Sequence, residues 1–509
     1  MAIIGNIIKG VIHLGNSISS ETDHVKNQKE TLKYLLDKAK HTDFGRAFSF
    51  SEIKDAEDIY GAFKTKVPFF DYDKMHKDWW HKLHEGHKNV TWPGQPDYFA
   101  LSSGTTGKTS KRIPVTDEMI DAIKNAGIKQ ILAIENFDLP PDFFEKEIMM
   151  LGSSTELQEN NDHLEGEISG ISASRIPFWF RGFYKPGEKI SKIDDWDQRV
   201  QKIAENAKHW DIGALSGIPS WMELMMERVI DYHGVDTIHD IWPNLKVYTS
   251  GGVAFGPYEK SFKRLTGKHV EVIDTYLASE GFIALQTRPE TDAMQLLTDN
   301  GIFFEFVPFQ PDYINPDGSL VDDAPCVSLE NVELEKDYVL ILSSVSGSWR
   351  YMIGDTIQFT DIHRAEIKIT GRTKFFLNTV GSQLSVNKMD AAMKELEDEF
   401  DIDISEYTIC AKRGEDDEFY HYWYLGASTT ELENSKVAES LDRKLKAANK
   451  NYKVARSKAL NGVKVNLINP RMFYDWNARN KKKGGQVKME RVMNEEKFQE
   501  WESFVKDNN

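Results

Sequence analysis

The stretch FALSSGTTGKTSKRIPVT, residues 99–116, constrains the fold more than any other, because its Gly107-Lys108-Thr109 ending is that of a phosphate-binding P-loop. A Walker A loop with that ending requires its first glycine at position 102, which is occupied by Ser102. A P-loop also opens a helix, whereas Arg112-Ile113-Pro114-Val115 alternates polar and apolar residues around a proline, which a helix interior rejects and an edge strand accepts. The loop is therefore expected to join two strands. Ser102, Ser103, Gly104, Thr105, Thr106 and Gly107 then make a run of small hydroxyl side chains and accessible backbone N–H groups, a nest suited to an anion and above all to triphosphate.

At 509 residues the chain exceeds what one hydrophobic core serves, so two or more domains are expected. Its formal net charge of -17 weighs against nucleic acid or an anionic membrane as the main partner, since both select basic patches. Cys326 and Cys410 cannot build a disulfide framework, and with no secretory signal in view they point to the reducing cytoplasm. The opening MAIIGNIIKGVIHLGNSI has no basic leader, and its Ile3, Ile4, Ile7, Ile8, Val11, Ile12 and Leu14 gather on one helical face. That is the pattern of a helix docked on the protein's own core, with binding at a membrane surface as the alternative. In HKDWWHKLHEGH, His76, His81, His84 and His87 lack the Cys or acidic pair of a zinc pattern and read as packing or surface histidines.

The fold class is α/β: strands at 338–344 and 367–370 are interspersed with helices at 116–135 and 219–232. GRTKFFLNTVGSQLS, residues 371–385, reads as a linker. Beyond it, a helix at 386–399, strands in YTICAKRG and FYHYWYLGAS, and a helix at 431–449 make a smaller α+β unit. The expected domains are 1–373 and a lid-sized 374–509.

Three further stretches join the loop if the substrate is ATP. In VIDTYLASEG, residues 272–281, an apolar run ends in Tyr276, able to stack on adenine, Ser279, a hydroxyl for phosphate, and Glu280, a carboxylate for magnesium. Taken singly, these residues read more readily as a buried tyrosine and a surface glutamate. In SWRYMIGDTIQF and KITGRTKFF, Asp355 offers two oxygens to a ribose diol, and Arg372, seventeen residues later, offers a planar fork to ribose or phosphate. In NKKKGGQVKMERV, residues 480–492, Lys488 follows Gly-Gly-Gln on a segment that a small domain can swing over a nucleotide.

The order of LSSGTTGKTSKRIPVT, GIPSWMELMMERV, WPNLKVYTSGGVAFGPY, TYLASEG, RYMIGD, GRTKFFLNTVGSQL and GGQVKMERV resembles the GH3 family of acyl-acid amido synthetases, adenylate-forming enzymes, over most of the chain. The resemblance implies a large N-terminal domain of the adenylate-forming type holding ATP and acid, and a mobile C-terminal domain that contributes a lysine. Ser102 to Thr106 would cradle phosphates, and TSGG at 249–252, with Gly251 and Gly252, would lie beside adenine through its backbone. Tyr276 to Glu280 would form the adenine and magnesium motif, Asp355 would hold ribose, Arg372 would mark the hinge entrance, and Lys488 would be the catalytic lysine. One departure stands out: Glu490 replaces the family's proline before Arg491, with a carboxylate able to pair with Lys488 or Arg491. The implied reaction adenylates a small carboxylic acid with MgATP, releases pyrophosphate, and passes the acyl group to an amine, most plausibly an amino acid. Its acyl pocket would be lined from residues 120–230, where Phe178, Trp179 and Trp221 are available. The alternatives are a thioester-forming ligase using coenzyme A and a silent binder of acid or nucleotide.

Overall fold

The computed structural model describes residues 22–102, 111–160, 162–176, 180–252, 255–315, 318–373, 384, 386–414, 416, 418–449, 452–453, 456–457, 460–479, 489–493 and 495–508. The N-terminal apolar segment read as a docked helix lies outside them. An eleven-stranded sheet runs in the order Ile302–Pro308, Asp337–Ser344, Tyr351–Asp361, Glu366–Arg372, Met294–Leu296, Gly281–Leu285, Glu271–Ala278, Val247–Gly251, Ile212–Gly217, Glu147–Leu151 and Tyr184–Lys185. Strands from Glu271–Ala278 to Tyr184–Lys185 pair in parallel, and those on the other side of Glu271–Ala278 pair antiparallel.

The two halves follow from their sequences. Parallel strands need crossovers, and one is the helix Pro219–His233, opened by a proline at its first turn and closed by Gly234 in the left-handed region at φ 60°. Its Trp221, Met222, Met225, Met226 and Val229 are buried against the parallel strands' core. The antiparallel half is two meanders joined where Met294–Leu296 pairs with Glu366–Arg372, and its strand Ile302–Pro308 is buried along its whole length. Glu305 on that strand is tolerated because Arg350 Nε reaches both its oxygens at 3.1 Å.

The glycine- and hydroxyl-rich loop does join two strands. Tyr98–Ser102 pairs antiparallel with Lys111–Val115, Ser102 opposite Lys111, and the proline-bearing strand is the edge of a four-stranded sheet. His84 packs between Phe99, at 4.3 Å, and His163, at 6.0 Å between ring centroids. Burial pushes its imidazole down to about 4.

After Arg372 the chain builds a different core. Ile404–Arg413 pairs antiparallel with Phe419–Ala427, which pairs in parallel with Leu460–Ile468 through the helix Asn434–Ala448. Helices Val386–Phe400 and Asn434–Ala448 cover one face, and Arg471–Arg479 and Glu495–Asn508 cover the other. The two strands and two helices expected here are present; the third strand and the last two helices are additions.

Candidate active site

A cleft of about 2230 Å³ runs along the carboxyl ends of the parallel strands and is closed on one side by the C-terminal unit. It brings together every described residue singled out for the nucleotide: Ser102, Gly251, Gly252, Tyr276, Ser279, Glu280, Asp355 and Arg372. Ser103, Gly104, Thr105, Thr106 and Lys488 lie outside the described residues. Carboxyl ends of parallel strands are where open α/β sheets bind ligands, because side chains and backbone N–H groups converge there without blocking the sheet.

Gly251 ends its strand opposite Thr275, and Gly252 continues at φ 87°, a conformation that frees the backbone to turn along the cleft wall. The seventeen-residue spacing of Asp355 and Arg372 is now explained: the two are cross-strand partners in one antiparallel pair. Arg372 Nε donates to Asp355 Oδ1 at 2.6 Å, and the Tyr276 phenol donates to Asp355 Oδ2. The field of Asp355 holds the Arg372 guanidinium above its ordinary pKa, and burial, then Asp355, raises the Tyr276 phenol well above its own. Each carboxylate oxygen carries a second lone pair, so Asp355 can still accept from a diol.

Glu280 is not a surface glutamate. It sits at the tip of the tight hairpin between Glu271–Ala278 and Gly281–Leu285, yet it is only 7% exposed. Burial raises its pKa, the Lys111 ammonium opposes that rise, and the Asp355 carboxylate adds to it. Lys111 and Tyr351, whose buried phenol faces Glu280, were not singled out from the sequence. Both stand in quoted stretches, one directly after the loop and one four residues before Asp355, and only the tertiary fold aims them at one carboxylate.

Trp221 does not line the cleft; it is buried against Trp196, at 4.6 Å between centroids. Phe178 and Trp179 fall outside the described residues. Among the described residues, the apolar end of the cleft is walled by Phe143, Phe144, Ile148, Leu151, Phe180 and Phe183, all within 120–230.

The C-terminal unit meets this cleft through a buried chain of hydrogen bonds. Tyr258 Oη donates to Glu406 Oε1 at 2.7 Å, and Arg491 Nη1 donates to Glu406 Oε2 at 2.7 Å. The segment carrying Arg491 is held beside Ile404–Arg413, with Ile409 N donating to Arg491 O at 2.9 Å and Met493 N to Ile409 O at 2.9 Å. Glu490 pairs with Lys497 on the last helix. Among the described residues Arg491 pairs with Glu406 and not with Glu490, and the alternative pairing of Glu490 with Lys488 lies outside them.

A solved structure of the GH3.15 acyl acid amido synthetase superposes with a TM-score of 0.78 over 98% of this chain and 96% of that one, at 14% identity. The fold is therefore that of an acyl-acid amido synthetase, a mixed α/β architecture of the adenylate-forming kind. The GH3 family N-terminal, central and C-terminal domains match residues 16–204, 295–372 and 387–497. The chain belongs to the GH3 family. A jasmonoyl-L-amino acid synthetase of Nicotiana attenuata is 22% identical over 497 residues, covering 83% of this chain and 82% of the relative. An indole-3-acetic acid-amido synthetase of Arabidopsis thaliana is 25% identical over 165 residues, and this match spans 31% of the chain and 30% of that relative's length.

Proposed function

We propose that the chain is an ATP-dependent acyl-acid amido synthetase that adenylates a small carboxylic acid and transfers the acyl group to an amino acid. The observation that carries this reading is the convergence of Tyr276, Glu280, Asp355 and Arg372 with Gly251 and Gly252 on one cleft that the C-terminal unit closes. Residues 1–373 are assigned to the nucleotide- and acid-binding domain and 374–509 to the lid.

In this reading Asp355 accepts the ribose hydroxyls, Arg372 fixes the orientation of Asp355, and the backbone at 249–252 lines the adenine. The hydroxyl nest from Ser102 to Thr106 donates to phosphate oxygens. The attacking acid is already ionised at neutral pH, so the reaction needs no general base, and rate comes from positioning and from charge placed around the phosphates. Lys488 supplies part of that charge. A magnesium ion fits the remaining donor, because Glu280 is a hard oxygen ligand whose buried anion is stabilised by a cation, and the ion would offset phosphate charge there. Closing the lid keeps water from the mixed anhydride until the amine arrives.

The test is pyrophosphate release from MgATP across a panel of aromatic and aliphatic acids, each with and without the twenty amino acids. Release that requires an acid, with amide as product, is expected. Thioester formed in preference to amide when coenzyme A is supplied, or nucleotide bound without any pyrophosphate released, would refute the reading.

A further inference from the structure

At the end of the cleft away from Asp355, the helix Trp196–Asn206 presents Arg199, whose side chain is buried with the residue only 3% exposed. Its guanidinium lies 5.3 Å from the Trp196 ring centroid. Its Nε is buried without a hydrogen-bond partner among the described residues. The groups that act on it are Tyr184, Asp194 and Glu167. Each is otherwise engaged or screened: the Tyr184 phenol shares a 2.6 Å hydrogen bond with Ser191, Glu167 accepts from Ser153, and Asp194 is exposed to solvent. A guanidinium does not shed its proton, so burying one without a matched counter-charge costs stability unless a ligand supplies the charge. Ser172 on the cleft wall likewise keeps a buried hydroxyl without a partner among the described residues.

We propose that Arg199 forms a carboxylate subsite at the acyl end of the cleft, taking a carboxylate other than the one that is activated. The inference rests on the synthetase reading and narrows its substrates. Tyr184 stands four strands along the sheet from Tyr276, about 19 Å at the usual spacing of about 4.8 Å. One carboxylate therefore cannot serve both ends. The ligand is an elongated dicarboxylic acid whose far end reaches Arg199, or the acceptor amino acid bound there by its α-carboxylate. The guanidinium fork suits either, through two parallel hydrogen bonds.

The experiment uses the full-length chain and the variants Arg199→Met and Arg199→Lys. Binding of α,ω-dicarboxylic acids of graded length, matched monocarboxylic acids and the twenty amino acids is measured by calorimetry without ATP, then KM for acid and amino acid is measured separately. The loss expected in Arg199→Met is about 10- to 100-fold, the worth of a hydrogen bond to a charged group, with Arg199→Lys intermediate. A loss confined to dicarboxylates, with monoacids unchanged, assigns the subsite to the acid; a loss confined to amino acids assigns it to the acceptor. Because the buried charge lacks a hydrogen-bonded partner among the described residues, Arg199→Met should melt no lower than the wild type without ligand. Equal affinities for every carboxylate in all three proteins would overturn the proposal, as would a lowered melting temperature with mono- and dicarboxylates weakened alike. Arg199-dependent binding without pyrophosphate release would leave the subsite standing and remove only the synthetase reading.

Discussion

Replacing Glu223 by glutamine should make the protein more stable at alkaline pH and leave it unchanged in acid. Glu223 lies on the helix Pro219–His233, 7% exposed, with Oε2 lacking a hydrogen-bond partner among the described residues. Burial pushes its carboxyl up from 4.5 to about 7, Glu227 and Glu406 push in the same direction, and Ser261 and Arg264 pull against them. The native state thus binds this proton more tightly than the unfolded chain does, so stability falls as pH rises between about 4.5 and about 7. At 1.36 kcal/mol per tenfold, the whole displacement is worth about 3 kcal/mol, absent below that window and complete above it. Glutamine is a standing copy of the protonated form, so Glu223→Gln should recover up to about 3 kcal/mol at pH 8 and nothing at pH 4. Urea unfolding of both proteins from pH 4 to 8.5 measures the difference, in which the titrations common to both chains cancel. A variant that is less stable at pH 8, or a difference that does not change with pH, would refute the reasoning.

Lys488→Ala should slow adenylation by about 10²- to 10³-fold, as deletion of one placed charge does; a rate within a factor of two of the wild type would remove Lys488 from the mechanism. Asp355→Ala should weaken ATP binding by about 10- to 100-fold. Because the Arg372 side chain is 41% exposed, the stability lost with their ion pair should be modest, and an unchanged calorimetric affinity for ATP would count against the ribose role. Tyr258→Phe strips a donor from a buried Glu406 oxygen and should cost about 1–3 kcal/mol in urea unfolding. Glu406→Gln should cost much less in that background than alone, and strictly additive costs would dismiss the coupling. Because Glu490 pairs with Lys497 and not Arg491, Glu490→Pro should alter the adenylation rate by less than about twofold, and a large gain would show that the carboxylate hinders the site.

What the sequence made legible was local or carried by spacing. Pro114 excluded a helix after the loop, and the distance from Asp355 to Arg372 is that of a hairpin whose strands place them opposite each other. What it hid depended on tertiary enclosure. Nothing in TYLASEG says that the tip of a tight hairpin is buried, so Glu280 taken singly read as a surface residue until the strand carrying Tyr351 and the edge strand carrying Lys111 closed over it. Leu460–Ile468 was missed because it pairs in parallel, across a helix, with a strand far back in the chain. Arg199 did leave a trace. It falls with Trp196, Val200 and Ile203 on the buried face of its helix, where a cation is out of place.

The sheet separates two tasks. The residues proposed to hold the nucleotide stand on Val247–Gly251, Glu271–Ala278, Tyr351–Asp361 and Glu366–Arg372, while the apolar end of the cleft is built on and beside Glu147–Leu151, Ile212–Gly217 and Tyr184–Lys185. Substitutions beside Tyr184–Lys185, about 19 Å from Tyr276 at the usual strand spacing, lie beyond the 7–10 Å over which mutational effects usually couple, so they should combine additively with changes around Tyr276. A lineage built on this sheet can exchange one acid for another by changing a few wall residues, without renegotiating its hold on the nucleotide. Divergence in substrate is then cheap in this architecture, and divergence in the energy source is not.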